Sequence, residues 1–482
     1  MEKKYNICYS DLQYQAVPLP EDILKMKWSG DFDRTRAMIE NRLSLPNLPE
    51  AYRARLILEL KNLKHLEARY VLTKDQVLAQ IQERVPDFKA EELERLIIED
   101  KLQWTFIRGK EMFLRSAVRN LFNQYPEMWE RDQARHTCDA DECTDFDNAL
   151  SSLKDGDEVH AHIHMRHEYY LEPDAVKPGK TLRVHLPLPV ERQQIHDLKI
   201  LNISPAPARM PEVSDEMPTV YFEVPAEPGQ VFSAEYQFEN ILRVHDLTKA
   251  DEAAIARELE ENGYPEEVLP YLEEKAPHIL FTPYLRALAA ELKGDETNPI
   301  RIARAMYNYI TCNLKYSFVR DYASIDCIAE QMALTRKGDC GMQAILFITL
   351  CRIAGVPARW QSGLAAEPGS IGEHDWAQCY LPSIGWVFVD PSYGMSAKLK
   401  NDEARWNYYF GNLDPFRVPF NCDVQCDFVP PRKFLRYDTV DSQDGEAEYD
   451  DEPIFDDGHR VYTDLGIRLV KPEPAPAAKE NH

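Results

Sequence analysis

The hydrophobic pattern of this chain changes its period near residue 158, and the change separates regions of different secondary structure. Before this point, apolar residues recur at spacings of three and four, which indicates amphipathic helices. After it, short segments alternate between apolar and polar residues between Pro, Gly and Asp, which predicts antiparallel strands. Helical spacing resumes near residue 250. We therefore predict an α+β protein with a helical domain at 1–130, a β-sandwich at 155–245, a third domain at 250–425 and an acidic C-terminal segment and tail at 426–482.

The charge of the chain narrows the range of partners that it can bind. Lys and Arg number 56 against 81 Asp and Glu among 482 residues, so the formal net charge is −25. Nucleic acids and anionic lipids both attract basic surfaces, so we expect no nucleic acid and no membrane among the partners. Ten of the acidic residues, and no basic one, lie within 438–457. This segment lacks the spacing of calcium-binding loops and is interpreted as a solvated charged loop.

The ends of the chain and its cysteines suggest where the protein resides. The first residues contain no apolar core of a secretory signal, and no run of apolar residues is long enough for a transmembrane helix. The ten cysteines show no spacing typical of a disulfide framework. We therefore expect free thiols and a cytoplasmic location.

The N-terminal part predicts helices and one short hairpin. Helices are expected at 74–85, 90–101 and 112–124, with a hairpin in WTFIRGKEMFL that turns at Arg108 and Gly109. A helix followed by a hairpin also fits a winged-helix module. Because the region has no basic stripe, we favour a small helical interaction domain that binds a protein partner.

A cysteine flanked by glycines opens a predicted buried helix in KGDCGMQAILFITLCRIAGVPARW. Gly338 and Gly341 allow a tight turn at Cys340 and the close approach of another group. The apolar run 342–354 ends at a glycine and a proline, as helices often do. The helix dipole and the free N–H groups at the helix start favour a thiolate and can hold an oxyanion. Cys340 is therefore a candidate nucleophile, although a small buried cysteine would fit the same position.

A predicted hairpin downstream supplies two possible partners for this cysteine. The strand-like runs 374–381 and 385–390 are joined by a turn that contains Pro382. If the turn is centred there, His374 lies opposite Asp390 and both project from one face. A histidine oriented by a carboxylate would complete a Cys-His-Asp triad. A core histidine and an Asx-turn aspartate are the alternatives, but the joint occurrence favours catalysis.

At these residues the sequence resembles the transglutaminase-like superfamily of papain-like cysteine enzymes. The matching pieces are GDCGMQAILFITLCRIAGVPARWQSG and HDWAQCYLPSIGWVFVDPSYG, with Cys340, His374 and Asp390 at the family's catalytic positions. The resemblance covers about 250–421 and implies a cysteine-bearing helix packed on an antiparallel sheet. A β-sandwich precedes this core in many bacterial members. The paired CxxC zinc motifs of peptide N-glycanases are absent from the sequence, so the bacterial subgroup fits best.

The resemblance also implies further site residues. Beside the backbone N–H of Cys340, the second oxyanion donor is usually a side chain upstream of the nucleophile. Tyr316 is our candidate for this donor, and Gln331 is its rival. Trp360 and Trp376 are candidates for lining the acyl channel, although buried tryptophans more often belong to the core. The resemblance implies no cofactor and no metal.

Two other sets of residues were considered as metal ligands. The three histidines of HAHIH, at 160–164, share one face of a predicted strand and could ligate a metal. A polar, solvent-facing sheet surface explains them better. A zinc site that joins HTCDADEC, at 136–143, to Cys422 and Cys426 would need distant segments to meet.

Together these features predict a cysteine-dependent enzyme that acts on amide or peptide bonds of a protein or peptide substrate through a thioester. Protease, amidase and transglutaminase activities all remain open, because the sequence does not show which acceptor reaches the thioester. The alternative is a catalytically silent protein-binding module that keeps the fold.

Overall fold

The computed structural model describes residues 5, 7–132, 146, 150, 152–455 and 458–470. Within these ranges the chain forms a helical N-terminal region, two sheets that pack as a sandwich, and a mixed core of helices around a five-stranded sheet. Among the described helices, none is both long and apolar enough to span a membrane.

Residues 7–132 combine helices with a small antiparallel sheet. Their elements are a 3-10 helix (Tyr9–Ala16), α1 (Glu21–Trp28), α2 (Phe32–Leu43), α3 (Glu50–Arg69), β1 (Tyr70–Thr73), α4 (Lys74–Arg84), α5 (Ala90–Ile98), β2 (Trp104–Ile107), β3 (Lys110–Leu114), α6 (Ala117–Gln124) and α7 (Pro126–Arg131). The predicted hairpin is confirmed, since Arg108 and Gly109 both have positive φ angles and join β2 to β3. The helix predicted from Met112 begins later, at Ala117, because Met112 pairs with Thr105 and Thr73 in the sheet.

The order α3-β1-α4-α5-β2-β3, with β3 between β1 and β2, is that of a winged helix. The structure therefore has the winged-helix arrangement, although the lack of a basic stripe in the sequence favours a small helical interaction domain. Helix α5, which occupies the place of a recognition helix, carries Glu91, Glu92 and Glu94. An acidic helix at this position is unsuited to a phosphate backbone.

The region after residue 152 begins with five long strands of a sandwich. These are β4 (Glu158–Leu171), β5 (Thr181–Pro187), β6 (Ile195–Ser204), β7 (Thr219–Pro225) and β8 (Val231–Arg243), with a 3-10 turn at Pro173–Ala175. Alternate residues of β4 and β8 are buried, as expected for strands with one face on a core. Strand β8 lies between β4 and β6 in one sheet, and β5 pairs with β7 in the other.

The core is built around one nearly fully buried helix. Its helices are α8 (Glu252–Asn262), α9 (Pro283–Lys293), α10 (Pro299–Asn313), α11 (Ile328–Thr335), α12 (Cys340–Ala354), α13 (Pro391–Leu399) and α14 (Glu403–Tyr408), with 3-10 helices at Leu247–Lys249, Glu266–Leu272 and Tyr322–Ser324. Its strands are β9 (Lys315–Tyr316), β10 (Lys337–Gly338), β11 (Ala358–Glu367), β12 (Ser370–Leu381), β13 (Gly385–Val389), β14 (Phe410–Gly411) and β15 (Arg417–Asn421). The five-stranded sheet has the order β14-β13-β12-β11-β15. Helix α12 is apolar on all sides because other helices and this sheet enclose it.

The hairpin β12-β13 forms with a register two residues away from the predicted one. Ala377 pairs with Val389, and Leu381 pairs with Gly385. Ser383 and Gly385 both adopt positive φ angles, so the turn lies one residue later than a turn centred on Pro382. A slip of two residues preserves which face each side chain occupies, whereas a slip of one would reverse it.

The C-terminal segment returns to the sandwich instead of standing in solvent. Strands β16 (Glu446–Tyr449), β17 (Glu452–Pro453), β18 (Gly458–Asp464) and β19 (Arg468–Val470) add to its two sheets, with β16 beside β5 and both β18 and β19 beside β4. Asp441 and Glu448 are each only 2% exposed. The interpretation of 438–457 as a solvated loop is therefore wrong for 438–449, because strand pairing and buried arginines accommodate the acidic side chains there, whereas Asp450 and Asp451 are exposed.

Candidate active site

Cys340 is the first residue of α12, and the residues on both sides fix its position. Oδ1 of Asp339 accepts the N–H of Met342 at 3.2 Å and caps the helix. Glycine is required at Gly341, because a Cβ atom there would lie 2.6 Å from Oδ2 of Asp375. The predicted glycine-flanked helix start is confirmed, and it holds the thiol against strand β12.

The two predicted partners, His374 and Asp390, form a buried hydrogen-bonded pair. Nε2 of His374 lies 2.7 Å from Oδ2 of Asp390. Asp390 is also the N-cap of α13, where its Oδ1 atom accepts the N–H of Tyr393 at 2.9 Å. Because Nε2 is engaged, Nδ1 is the ring nitrogen left to exchange a proton with a reacting group.

A buried arginine completes the surroundings of this carboxylate. Nη2 of Arg417 donates to Oδ2 of Asp390 at 3.1 Å and lies 2.7 Å from Oδ2 of Asp414. Burial by itself would raise the pKa of Asp390, but His374 and Arg417 hold that pKa below its ordinary value. Asp390 is thus suited to stay ionised and to stabilise a protonated His374.

The thiol of Cys340 faces carboxyl groups. Its Sγ atom lies 3.5 Å from Oδ2 of Asp375, the residue that follows His374 in β12. Burial raises the pKa of the thiol well above its ordinary value, and the charges of Asp375 and Asp339 raise it further. This direction is opposite to the one expected from the helix start alone. Desolvation and two adjacent carboxyl groups outweigh the partial positive charge of a helix N-terminus.

Tyr316 lies near the cysteine, as the resemblance implied. Strand β9 pairs with β10, so Tyr316 lies beside Gly338, two residues before Cys340 at the start of α12. Burial raises the pKa of Tyr316, and the negative charges of Cys340, Asp339 and Asp375 raise it further. The phenol therefore keeps its proton near neutral pH and remains a hydrogen-bond donor.

A cavity of about 430 Å³ adjoins the histidine. Tyr316 and His374 both contribute to its wall, so the cavity connects the candidate oxyanion donor to the candidate base. Tyr393 and two carboxylate residues, Glu367 and Glu373, also line it.

The other three candidates lie away from this cavity. Gln331 is on α11 and lines a different cavity together with Gln103 and Lys337, at the contact with the N-terminal region. Trp360 is buried in the core around α12. Trp376 donates its indole N–H to Oε1 of Gln361 at 2.8 Å. The Trp376 ring lies 5.9 Å from that of His374, so it packs behind the histidine.

The C-terminal segment reaches the strand that carries the histidine. Nε2 of Gln443 donates to Oδ1 of Asp375 at 2.8 Å and to the backbone carbonyl of His374 at 3.2 Å. Burial raises the pKa of Asp441, and the charge of Asp375 raises it further. Two buried acidic groups this close disfavour the state in which both are ionised.

Comparison with known proteins agrees with this arrangement. The family model described as the transglutaminase-like superfamily matches residues 286–391, which include α12 and the β12-β13 hairpin. This core is transglutaminase-like. The match also covers Cys340, His374 and Asp390, which the sequence analysis selected for the triad.

The relatives of this chain match it over only part of their own length and part of its length. An uncharacterized protein of Haemophilus influenzae is 28% identical over 202 residues, which are 35% of this chain and 53% of the relative. A protein-glutamine gamma-glutamyltransferase of Pseudomonas aeruginosa is 28% identical over 122 residues, 23% of this chain and 18% of that protein. This chain therefore spans about half of the first relative and less than a fifth of the second.

Solved structures give a more distant likeness. A crystal structure of a candidate cysteine protease from Cytophaga hutchinsonii superimposes with a TM-score of 0.42 at 16% identity. The superposition covers 66% of this chain and 93% of that one.

The possible metal ligands outside the transglutaminase-like core have other partners. His162 and His164 of HAHIH lie 2.8 Å and 3.1 Å from Glu239 and Glu235 on strand β8. The cysteines of HTCDADEC lie outside the described residues. Within the described ranges, three possible ligands do meet: Glu216, Asp423 and Cys426. Nζ of Lys275 lies 2.7 Å from Oδ2 of Asp423, so the ammonium group of a lysine already neutralises charge in this cluster.

Sequence reasoning missed Arg417, Asp375 and Gln443 at this site. Asp375 could have been found, because it directly follows His374 in the predicted strand and carries a carboxyl group. Arg417 and Gln443 come from segments whose position depends on the tertiary fold. No local signal in the sequence points to them.

Proposed function

We propose that this chain is a cysteine-dependent acyl-transfer enzyme that cleaves amide or peptide bonds through a thioester on Cys340. The observation that carries the proposal is the buried pair of His374 and Asp390 on the strand against which the thiol lies. Such a pair keeps one ring nitrogen in place and leaves the other for proton transfer. The match of residues 286–391 to the transglutaminase-like superfamily supports the same chemistry.

In the proposed mechanism, the thiol proton of Cys340 passes to Nδ1 of His374 as the sulfur attacks the carbonyl carbon. The oxyanion that forms is stabilised by the backbone N–H of Cys340 and the phenol of Tyr316. His374 then gives its proton to the leaving amine, and the thioester remains. Water or a second amine, deprotonated by His374, attacks the thioester and restores the thiol. Asp390 stabilises the imidazolium in both half-reactions.

Protein or peptide substrates fit this site because the cavity beside His374 is open and of moderate size. Water is always present as an acceptor, so hydrolysis is the primary reaction that we propose. Transfer to an amine would need an amine to reach the thioester before water does.

One observation favours the second candidate, a catalytically silent binding module. The pKa of Cys340 is raised by burial and by its acidic neighbours, which disfavours the thiolate at rest. Under this alternative the N-terminal region would bind the protein partner and the core would serve as a scaffold.

Turnover experiments distinguish the two candidates. The full chain is incubated with a panel of acylated peptides and with glutamine peptides plus a primary amine, and products are identified by mass spectrometry. The enzyme proposal predicts products that disappear in Cys340→Ala and in His374→Ala. If the wild type forms no product that these variants lack, the binding-module candidate is favoured.

A further inference from the structure

Asp375 has no role in the mechanism described so far, yet its carboxyl group touches the sulfur of Cys340. Oδ2 lies 3.5 Å from Sγ, within the range of hydrogen bonds to sulfur. The contact is built into the fold, since only a glycine at Gly341 leaves room for this oxygen. The other oxygen, Oδ1, is held at 2.8 Å by the side-chain amide of Gln443. Both oxygens of Asp375 therefore have fixed positions.

The surroundings of this carboxyl group favour its neutral form. Asp375 is 3% exposed. The titratable groups that face it come from the start of α12, from the segment before α11 and from the C-terminal segment: Asp339, Cys340, Tyr316, Tyr322, Asp438 and Asp441. All are acids or phenols, and Arg436 acts on Asp438 and Asp441 instead. Burial raises the pKa of Asp375 to about 7, and the charges of Asp339 and Asp438 also raise it.

We infer that Asp375 is a further catalytic residue, whose neutral carboxyl donates a hydrogen bond to the thiolate of Cys340 and whose ionised form keeps the thiol protonated. The inference rests on the proposed function in one respect, namely that Cys340 is the nucleophile.

The chemistry follows from the single contact between the two side chains. When His374 takes the thiol proton, the sulfur becomes negative, and a neutral Asp375 can direct its own O–H at that charge without losing the proton. As the sulfur–carbon bond forms, the negative charge moves to the carbonyl oxygen and the hydrogen bond weakens. If Asp375 is ionised, the thiol instead donates its proton to Oδ2. A thiolate 3.5 Å from this carboxylate would be repelled by it, so the thiol stays protonated.

This arrangement predicts an unusual pH dependence for the cysteine. The reactivity of an ordinary thiol rises with pH, because more of it is present as thiolate. Here the ionisation of Asp375 near pH 7 works against that rise. Alkylation of Cys340 should therefore rise up to about pH 7, level off above that pH and rise again only at higher pH.

The experiment measures the rate at which iodoacetamide alkylates Cys340 in the full chain as a function of pH, with peptide mapping to separate Cys340 from the other cysteines. In Asp375→Asn the amide keeps a hydrogen-bond donor but cannot ionise. We expect this variant to react at least about tenfold faster than the wild type near pH 8 and to follow an ordinary rising profile. Glu223→Gln is the control, since it removes an exposed carboxylate on strand β7, outside the cavity. It should keep the wild-type profile.

A second variant covers the case in which Asp375→Asn does not fold. Gln443→Leu removes the N–H that favours the ionised form of Asp375 and leaves the sulfur untouched, so the flat region should begin at a higher pH. An ordinary rising profile in the wild type, or an Asp375→Asn profile equal to that of the wild type, would overturn the inference. Alkylation needs no turnover, so an inactive wild type with the predicted profiles would refute the proposed function and the catalytic role of Asp375, and would leave only the control of the thiol by Asp375.

Discussion

Nε2 of His374 lies 2.7 Å from Oδ2 of Asp390, although the strand that carries the histidine pairs in a register two residues away from the expected one. Asp390 lies just past the end of β13 and caps α13, so its side chain turns back toward the histidine. The contact therefore depends on the helix cap as well as on the hairpin.

The first prediction concerns this contact. Asp390→Asn should lower kcat by about 10²- to 10⁴-fold with little change in KM, because the amide cannot stabilise the imidazolium. Steady-state kinetics on any amide substrate found by the panel provides the measurement. Asp402→Asn, which alters the N-cap of α14, is the matched control and should keep kcat near that of the wild type. Equal losses in both variants would mean that Asp390 acts only as a cap.

The second prediction concerns Arg417, which contacts both Asp390 and Asp414 and is fully buried. Arg417→Met removes the cation that two buried carboxylates share, which should cost about 3–5 kcal/mol of the free energy of unfolding. Urea denaturation measures this cost. A loss below about 1 kcal/mol would show that the arginine is not needed to hold the carboxylates.

The third prediction uses the close approach at Gly341. Replacing glycine by alanine inside a helix usually stabilises it by up to about 1 kcal/mol. Here we expect Gly341→Ala to destabilise the chain, since the new methyl group would meet Asp375 and Tyr322. Gly372→Ala, where a Cβ atom meets nothing within 4 Å, is the control. If Gly341→Ala is as stable as the control, the packing around the cysteine is looser than described.

The fourth prediction addresses the N-terminal region. Asn120 accepts the N–H of Phe318 at 2.9 Å and donates to its carbonyl at 2.8 Å, so it holds the segment that follows Tyr316. Asn120→Ala should lower kcat more than it affects KM, because the oxyanion donor loses its fixed position. Asn313→Ala, at an exposed helix end, is a control that removes an amide without this contact. An unchanged kcat in Asn120→Ala would show that this contact of the N-terminal region does not affect catalysis.

The fifth prediction concerns stability and pH. Burial raises the pKa of Asp339 to about 6 and of Asp375 to about 7, so the folded chain holds protons that the unfolded chain has released above about pH 4. These groups therefore reduce stability as pH rises from about 4 to about 7. Asp375→Asn should gain stability relative to the wild type at about pH 8 but not at about pH 4, as measured by urea denaturation. An equal difference at both pH values would contradict the assignment.

Much of the core was predictable because its signals are local. The glycines around Cys340, the apolar run after it and the residues of the hairpin turn each constrain only a few neighbouring positions. A register slip of two residues leaves each side chain of β12 on the same face of the sheet. The face that His374 occupies could therefore be predicted, although the pairing of the two strands could not.

The predictions that were wrong concern residues whose position depends on contacts between segments distant in the sequence. The acidic segment 438–457 looks solvated by composition, yet Asp441 and Gln443 lie beside strand β12 and Glu446 pairs with buried arginines. Those arginines belong to the same C-terminal part of the chain. They are buried only because β16 pairs with β5 of the sandwich. For the same reason, the raised pKa of Cys340 could not be read from its helix position alone.

The central claim is that Cys340 forms a thioester during turnover, and trapping the acyl-enzyme tests it most directly. The full chain is mixed with an activated acyl ester, quenched in acid and analysed by intact-mass and peptide mass spectrometry. We predict one acyl group on Cys340 that hydroxylamine releases and that is absent in Cys340→Ser and strongly reduced in His374→Ala. Acylation spread over other cysteines, or equal acylation of Cys340 in His374→Ala, would contradict the claim.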